Sequence, residues 1–343
     1  MLLDATMDQF LVELGLALLD LCPGPVVVFI DPRLHASAHA MVNKARHLIA
    51  LFDKANIRRW RLLVTLPATE EGMRAAAVLT HEHSIQTNLS LVLCLSQASA
   101  CIEAGAKMVT MSVGKILEWY EKQMKSAPPV TIDHPGIEVI QTCASYILQH
   151  KLNTTLMAAD IRSWTELKQL SGIGAAALTQ QQLDQIPMHT LATWFPRRDD
   201  ASRSTQTARA APYPTKYLES KQEFFLSPLP AQQRRLVSAV LYVRLGQMNV
   251  LMRDIESVVR EEVRSHVEVI TVDLGALYLS RRKELEVSSG VREGRRQSRK
   301  GQSRASSSSV SDSDCEKSRV GGTLVSSPIH EAMTRMIEGV DYF

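Results

Sequence analysis

The sequence predicts an α/β protein built on a parallel sheet, with polar residues gathered at the strand ends as they are in β/α barrels. Three observations carry this prediction. Short apolar runs such as Val26-Val27-Val28-Phe29-Ile30 lack in–out alternation, as strands buried on both faces do. These runs alternate with helix-length segments of about 10–15 residues, the pattern of repeated βαβ units. Polar or charged residues recur at the C-terminal ends of the runs, where barrel enzymes place their chemistry. No glycine-rich fingerprint follows the first run, which argues against a doubly wound sheet.

The elements follow in order. Asp4 to Leu21 has helical apolar spacing with acids on the other face, and Pro23-Gly24 ends it. The first strand, Pro25 to Asp31, comes next. A helix from about Ala38 to Ala55 leads to the strand Arg61 to Leu66, and one from Glu71 to His81 leads to Ile85–Val92. A helix near Ser96 to Ala104 precedes Lys107–Met111, and a helix over Pro135 to His150 precedes Thr154–Asp160. The last unit runs Trp164 to Leu170, then Gly174 to Leu178, giving six strands in all. Ala201 to Pro214, rich in Ser, Thr, Ala and Pro, reads as a loop. Pro230 to His266 reads as a long helical stretch broken or bent near Gly246, its apolar residues Leu236, Val240, Val243 and Met248 sustaining no heptad. Val267 to Leu279 is a weak strand-or-helix segment. Val291 to Gly322 holds basic and serine runs that cannot bury enough apolar surface to order, so it reads as disordered.

Composition bounds the function classes. Of the 343 residues 45% are apolar and only 5% aromatic, which suits helices on buried strands better than a sandwich. The net charge of +3 is too small to imply nucleic acid. Cys22, Cys94, Cys101, Cys143 and Cys315 show no CxxC and no metal-like pairing with His, so they read as reduced and cytosolic, most of them ordinary core residues. Met1 to Cys22 is interrupted by acids and has no basic region before it, so no signal peptide is expected, and no run is long enough to span a membrane.

Several ordered blocks are more specific. Pro23-Gly24 with Phe29-Ile30-Asp31-Pro32-Arg33-Leu34, then Lys44 to Ile49, Arg61 to Thr69, Asn88 to Leu95 with Gln97-Ala98, Val113 to Tyr120, and Met157-Ala158-Ala159-Asp160-Ile161-Arg162 follow one another at plausible spacing. Together they resemble the transaldolase family over about Asp4 to Ile186, and weakly over Tyr217 to Val263. The resemblance implies a (β/α)₈ barrel that transfers a dihydroxyacetone unit between sugar phosphates, in the pentose phosphate pathway or a specialised route. It also implies that the chain starts at the helix after the family's second strand, so that roughly a quarter of the barrel is expected to be missing and about six of eight βα units remain. The domain organisation read this way is a partial barrel over 1–190, a linker over 191–216, helices packing on the barrel over 217–266, an uncertain stretch over 267–290 and a largely disordered tail over 291–343.

The family's chemistry uses a lysine amine that forms a Schiff base with the ketose, a carboxylate that relays protons through water, and cations that hold the phosphate. By the resemblance the lysine falls on Thr65, the carboxylate on Phe29, a substrate-facing Ser on Asp160 and a phosphate-contacting Arg on Lys115. No catalytic residue is retained. Asn88, Ser90, Thr110, Lys115, Asp160 and Arg162 remain as substrate-binding candidates, and Asp31 with Arg33 reads as a structural ion pair at a strand end. Asp160 is expected two residues before Arg162 on one strand face, paired with Arg162 or Lys115. Lys107 lies at the wrong end of its strand to replace the lost amine. His81-Glu82-His83 and His35/His39 have metal-like spacing but no third ligand, so they read as solvated faces, and neither metal nor cofactor is implied. The basic run Arg295–Lys300 reads as part of the solvated tail.

These readings converge on a transaldolase-like protein that is catalytically impaired or altered and whose ligand is a sugar phosphate or related polyhydroxy molecule. Two alternatives stay open: an active aldol-type enzyme with non-standard residues, and a pseudoenzyme that binds a ligand or partner. The apolar edges of an unclosed sheet suggest a homo-oligomer, or an added strand from Val267–Val272.

Overall fold

A computed structural model describes residues 2–124, 134–170, 173–185, 202–216, 226 and 229–294, with side chains described no further than residue 265. Two compact units are distinguished, one reaching to Ile255 and one beginning at Glu256. The first holds the sheet. Its elements begin α1 (Leu2–Leu21), β1 (Val26–Phe29), α2 (Ala38–Lys54), β2 (Leu62–Pro67), α3 (Glu70–His83), β3 (Thr87–Val92), α4 (Leu95–Glu103) and β4 (Met108–Ser112). They continue α5 (Val113–Met124), α6 (Pro135–Gln149), β5 (Thr155–Ala159), α7 (Trp164–Gln169), β6 (Ala175–Ala176), α8 (Gln180–Asp184) and α9 (Arg203–Ala210), and α10 (Ala231–Gly294) runs through both units. Side-chain oxygens of Ser37, Thr69, Ser163, Thr179 and Ser202 accept a backbone N–H in the first turn of the helix each precedes, which fixes where those helices start. At the other end of α1, the Arg61 guanidinium donates to the carbonyls of Leu19, Cys22 and Gly24, answering the negative end of that helix.

The six strands are parallel and lie in sequence order, β1 to β6. The strands form a half-barrel with flanking helices. Two facts separate it from a doubly wound sheet: the strand order never reverses, and the helices share one face. Val26, Val28, Leu62, Val64, Leu66, Leu89, Val109, Met111, Leu156 and Ala158 all join one apolar cluster with α1, α2, α3, α4 and α6. The intervening residues of β2, β3 and β4, among them Thr65, Asn88 and Thr110, face the other side and are buried as well. No helix of the described residues is long and apolar enough to cross a membrane.

Four expectations need correction. β1 is not buried on both faces: Val26 and Val28 are buried while Val27 and Phe29 are half-buried, because among the described residues β1 pairs with β2 alone. The Ser/Thr/Ala-rich stretch 201–214 is not a loop throughout, since it contains α9, which packs closely on α6 with Ser204, Thr205 and Ala208 buried. Small side chains let the two backbones approach, and composition alone cannot tell that role from a linker's. Beyond α9 the chain is clasped to α4, with Glu103 accepting from Thr215 N (2.6 Å), Thr215 Oγ1 (2.5 Å) and Lys216 N (2.9 Å).

The other two corrections concern α10. It passes through Gly246 without a break, because one glycine costs a helix only about 1 kcal/mol. Leu236, Val237, Val240, Leu241 and Leu245 form its seam against Leu91, Leu93, Cys94 and Ile116, while Val243 is exposed. The strand proposed at Val267–Val272 lies inside this helix and adds nothing to the sheet. The tail from 295 onward lies outside the described residues.

Two glycines allow a paired test. A Cβ on Gly72 would sit 1.9 Å from the Pro67 carbonyl oxygen, whereas one on Gly246 meets nothing. Gly72→Ala is expected to destabilise the fold by about 3 kcal/mol or more, and Gly246→Ala to stabilise it by up to ~1 kcal/mol. Urea unfolding midpoints of the two variants check both signs.

Candidate functional site

Strand register brings the key sequence positions together. Phe29 lies beside Thr65, Thr65 beside Asn88 and Asn88 beside Met108, so these four residues form one row across β1 to β4 on the face away from the helices. The middle of the row is dry, Thr65 being 4% exposed and Asn88 1%, as is Thr110 of β4 at 2%, while the end residues Phe29 and Met108 are half-buried. Asn88 ties three strands together, its amide nitrogen donating to Thr65 Oγ1 at 3.1 Å and its amide oxygen accepting from Thr110 Oγ1 at 2.8 Å. One strand turn on, Ser90 Oγ donates to the Leu66 carbonyl at 3.3 Å. None of these side chains titrates in water. The row can supply hydrogen bonds but neither an amine nor a carboxylate.

The remaining candidates gather elsewhere, around an open pocket of about 470 Å³ at the C-terminal ends of β4 and β5, closed on one side by α8. Lys115, Asp160 and Arg162 line it with Trp164, Gln181 and Gln182, while Thr65, Asn88, Ser90 and Thr110 do not. Among the described residues, the bonds to Asp160 come from a network other than the expected pairing with Arg162 or Lys115. β5 ends at Ala159, and Asp160 turns into the left-handed region (φ +54°), so it no longer shares a strand face with Arg162. Its carboxylate accepts from Ser112 Oγ, which in turn accepts the Lys115 N–H at 3.0 Å, while its carbonyl accepts the Gly114 N–H at 3.0 Å. Asp160 is therefore anchored to the first turn of α5. Gly114 is required there, since a Cβ would lie 2.4 Å from the Asp160 carbonyl oxygen.

Both cations that line the pocket lie beside a carboxylate. Arg162 Nη1 contacts both oxygens of Glu121 (3.1 and 3.2 Å) and its Nη2 donates to the Gly114 carbonyl. Lys115 lies 3.4 Å from Glu118, which also accepts from Lys122 at 2.7 Å. The hydrogen bond from Lys122, with the charge of Lys115 added, holds the Glu118 carboxyl below the usual range. Buried Glu166 accepts the Arg162 N–H at 2.7 Å and meets His134 Nε2 at 3.2 Å, fixing the backbone on which Arg162 stands. Ser112, Glu118, Glu121, Glu166 and the α8 glutamines escape the sequence reading. Ser112 just before a helix is a cap signal, and Lys115/Glu118 is an i,i+3 pair; the glutamines carry no signal.

The other candidates lie apart from both groups. Asp31 and Arg33 form an ion pair at 2.7 Å, and Asp31 Oδ1 also accepts the Arg33 N–H, capping the short turn after β1. Lys107 stands at the start of β4 and contacts Asn153 at 3.3 Å. His35 bonds the Pro32 carbonyl, His39 bonds Asn43, and His81 and His83 close α3; among the described residues no three His, Cys, Asp or Glu gather as a metal would need. Cys94, Cys101 and Cys143 are buried, and burial pushes the Cys94 thiol up to about 11 and raises the other two, so none is a ready thiolate.

The buried row makes one residue disproportionately important. Asn88→Ala would strand the Thr65 and Thr110 hydroxyls and open a cavity, and is expected to cost about 2–4 kcal/mol. Thr65→Val keeps the shape and removes one bond, and is expected to cost about 1 kcal/mol. Equilibrium unfolding of both variants measures the difference.

Residues 2–224 match the transaldolase/fructose-6-phosphate aldolase family. The chain is similar to the transaldolase of Cellvibrio japonicus, 35% identical over 184 residues covering 54% of this chain and 58% of that one. It is likewise 35% identical over 183 residues to the transaldolase of Fusarium oxysporum f. sp. lycopersici (53% and 56% covered). The transaldolase of Kluyveromyces lactis is 33% identical over 183 residues (53% and 54% covered). The matched stretch thus spans just over half the length of these curated relatives. On the breadth of the family match, the chain belongs to the transaldolase/fructose-6-phosphate aldolase family.

Proposed function

We propose that this chain is a transaldolase-like protein that binds a sugar-type ligand at the strand ends without making the family's covalent intermediate. The observation that supports it most is the register row. Phe29 and Thr65, the positions that the resemblance assigns to the proton-relaying acid and the Schiff-base amine, stand side by side in the sheet, and neither side chain can do that work. An iminium needs a primary amine that attacks the ketose carbonyl and then loses water, and proton transfer at each stage needs an acid–base partner. A buried threonine hydroxyl bonded to Asn88 supplies neither. Losing the nucleophile removes the reaction path, whereas losing a positioning contact only slows it.

A second reading, aldol chemistry through a displaced amine, has one candidate. Lys115 lines the pocket with its side chain about a quarter exposed. Its Nζ lies in an ion pair with Glu118, and no residue of the buried row lines the same pocket.

Incubation with fructose 6-phosphate, reduction with borohydride and intact-mass measurement separate the two readings. No mass increase is expected; an adduct mapped to Lys115 supports the second reading, and one at any other lysine contradicts the first as well. Introducing the amine with Thr65→Lys is expected to yield slow trapping, with turnover more than about tenfold below that of an active family member, because Phe29 still provides no carboxylate beside it. Restored turnover would mean that the surrounding groups suffice without the acid.

A further inference from the structure

We infer that a second pocket, at the N-terminal ends of β3, β4 and β5, takes a small organic monoanion with a flat apolar body, and that this ligand fastens the clasp between α4 and the segment after α9. The pocket holds about 440 Å³ and lies at the other end of the strands from the first. It forms where three crossovers meet: the segments leading from α3 into β3 (Ser84 to Gln86), from α4 into β4 (Gly105 to Lys107) and from α6 into β5 (Leu152 to Thr154) all line it. Buried Ile85, Ile102 and Ala106 give it an apolar floor, and the Tyr213 ring reaches it from the segment after α9. A flat body lies well between such a floor and a ring.

Charge decides the ligand class. Among the described residues Lys107 is the one charged group lining the pocket, and no Asp or Glu lines it. The Lys107 ammonium has three donors and gives one to the Asn153 amide oxygen at 3.3 Å. A carboxylate is the natural taker of the others. Three helices end beside the pocket, and the C-terminal end of a helix is negative. The chain answers part of that field, with Ile85 N–H donating to the Leu79 carbonyl (3.0 Å), Ala106 N–H to Cys101 (3.2 Å) and Leu152 N–H to Ile147 (2.9 Å). What remains tells against a dianion, while the single cation favours one negative charge. Tyr213 then couples the pocket to the clasp. His150 Nε2 meets the Ala211 carbonyl at 3.3 Å, the Tyr146 hydroxyl donates to the Pro212 carbonyl at 2.8 Å, and Glu103 accepts the N–H groups of Thr215 and Lys216. These anchors belong to α4, α6 and the α6 cap. A ligand held between Lys107 and Tyr213 adds one at the start of β4, and a ligand that prefers the clasped form shifts the chain toward it.

The test is calorimetric titration of the full chain with benzoate, its neutral counterpart benzyl alcohol and inorganic phosphate, for the wild type, Lys107→Gln and Tyr213→Ala. Hydrogen exchange of the Thr215 and Lys216 amides is read with and without benzoate. The wild type is expected to bind benzoate about tenfold or more tighter than either other probe, and Lys107→Gln to lower benzoate affinity by about tenfold, the worth of one hydrogen bond to a charged group. At ten times its dissociation constant, benzoate is expected to slow exchange of the two amides by about tenfold in the wild type. Tyr213→Ala is expected to remove that protection. Lys107 is exposed and lies outside the clasp, so the comparison with Lys107→Gln decides the ligand class even if Tyr213→Ala loosens the segment. The proposal is overturned if benzoate fails to bind at about 50 mM or binds no tighter than benzyl alcohol. It is equally overturned if Lys107→Gln leaves benzoate affinity unchanged, or if saturating benzoate leaves the Thr215 and Lys216 amides exchanging as before.

Discussion

The architecture depends on a division of labour between the two faces of the sheet. Because each crossover returns its helix to the same side, one face is covered by helices and the other must be filled by side chains from the strands themselves. On β2 to β4 several of those side chains, Thr65, Asn88, Ser90 and Thr110, are polar yet almost fully buried, and an unpaired polar group in such a place is costly. Asn88 resolves this by acting as donor to one neighbouring strand and acceptor from the other, so the side-chain bonds reinforce the register that the backbone ladder defines. The row cannot be altered at one position without disturbing its neighbours, which ties the identity of residue 65 to stability as well as to chemistry.

The strands were legible because buried parallel strands leave an uninterrupted apolar run, and the helices between them because their apolar spacing is regular. Where the sequence misled, the cause was tertiary. The Ser/Thr/Ala composition around Ser204 and Thr205 has no periodic apolar face, yet α6 supplies the partner that makes small residues a packing surface. Gly246 looked like a break because local propensity says nothing about the seam of leucines and valines that carries α10 past it. The resemblance carried the positions of Thr65, Asn88 and Thr110 into one neighbourhood, but it could not foresee that Asp160 would leave its strand. That turn depends on a close approach between Gly114 and the end of β5, two segments far apart in sequence.

The candidate residues fall into two environments with different physics. The buried row is neutral, fixed and shut off from solvent, so its contribution is to geometry and stability. The pocket is open and lined by charged side chains, with Lys115 beside Glu118 and Arg162 beside Glu121.

The clasp between Glu103 and the segment after α9 bears on the order in which the fold assembles. It joins residues 112 apart in sequence, whereas the bond from Asn88 to Thr65 spans only 23. On loop-closure entropy alone, the longer loop costs about 1.4 kcal/mol more to close. Neighbouring strands can therefore pair while the chain beyond α9 is still searching, and the clasp is the contact to form late. By the same reasoning it is an early one to open under denaturant, leaving the sheet and its apolar cluster in place while Thr215 and Lys216 come away from α4.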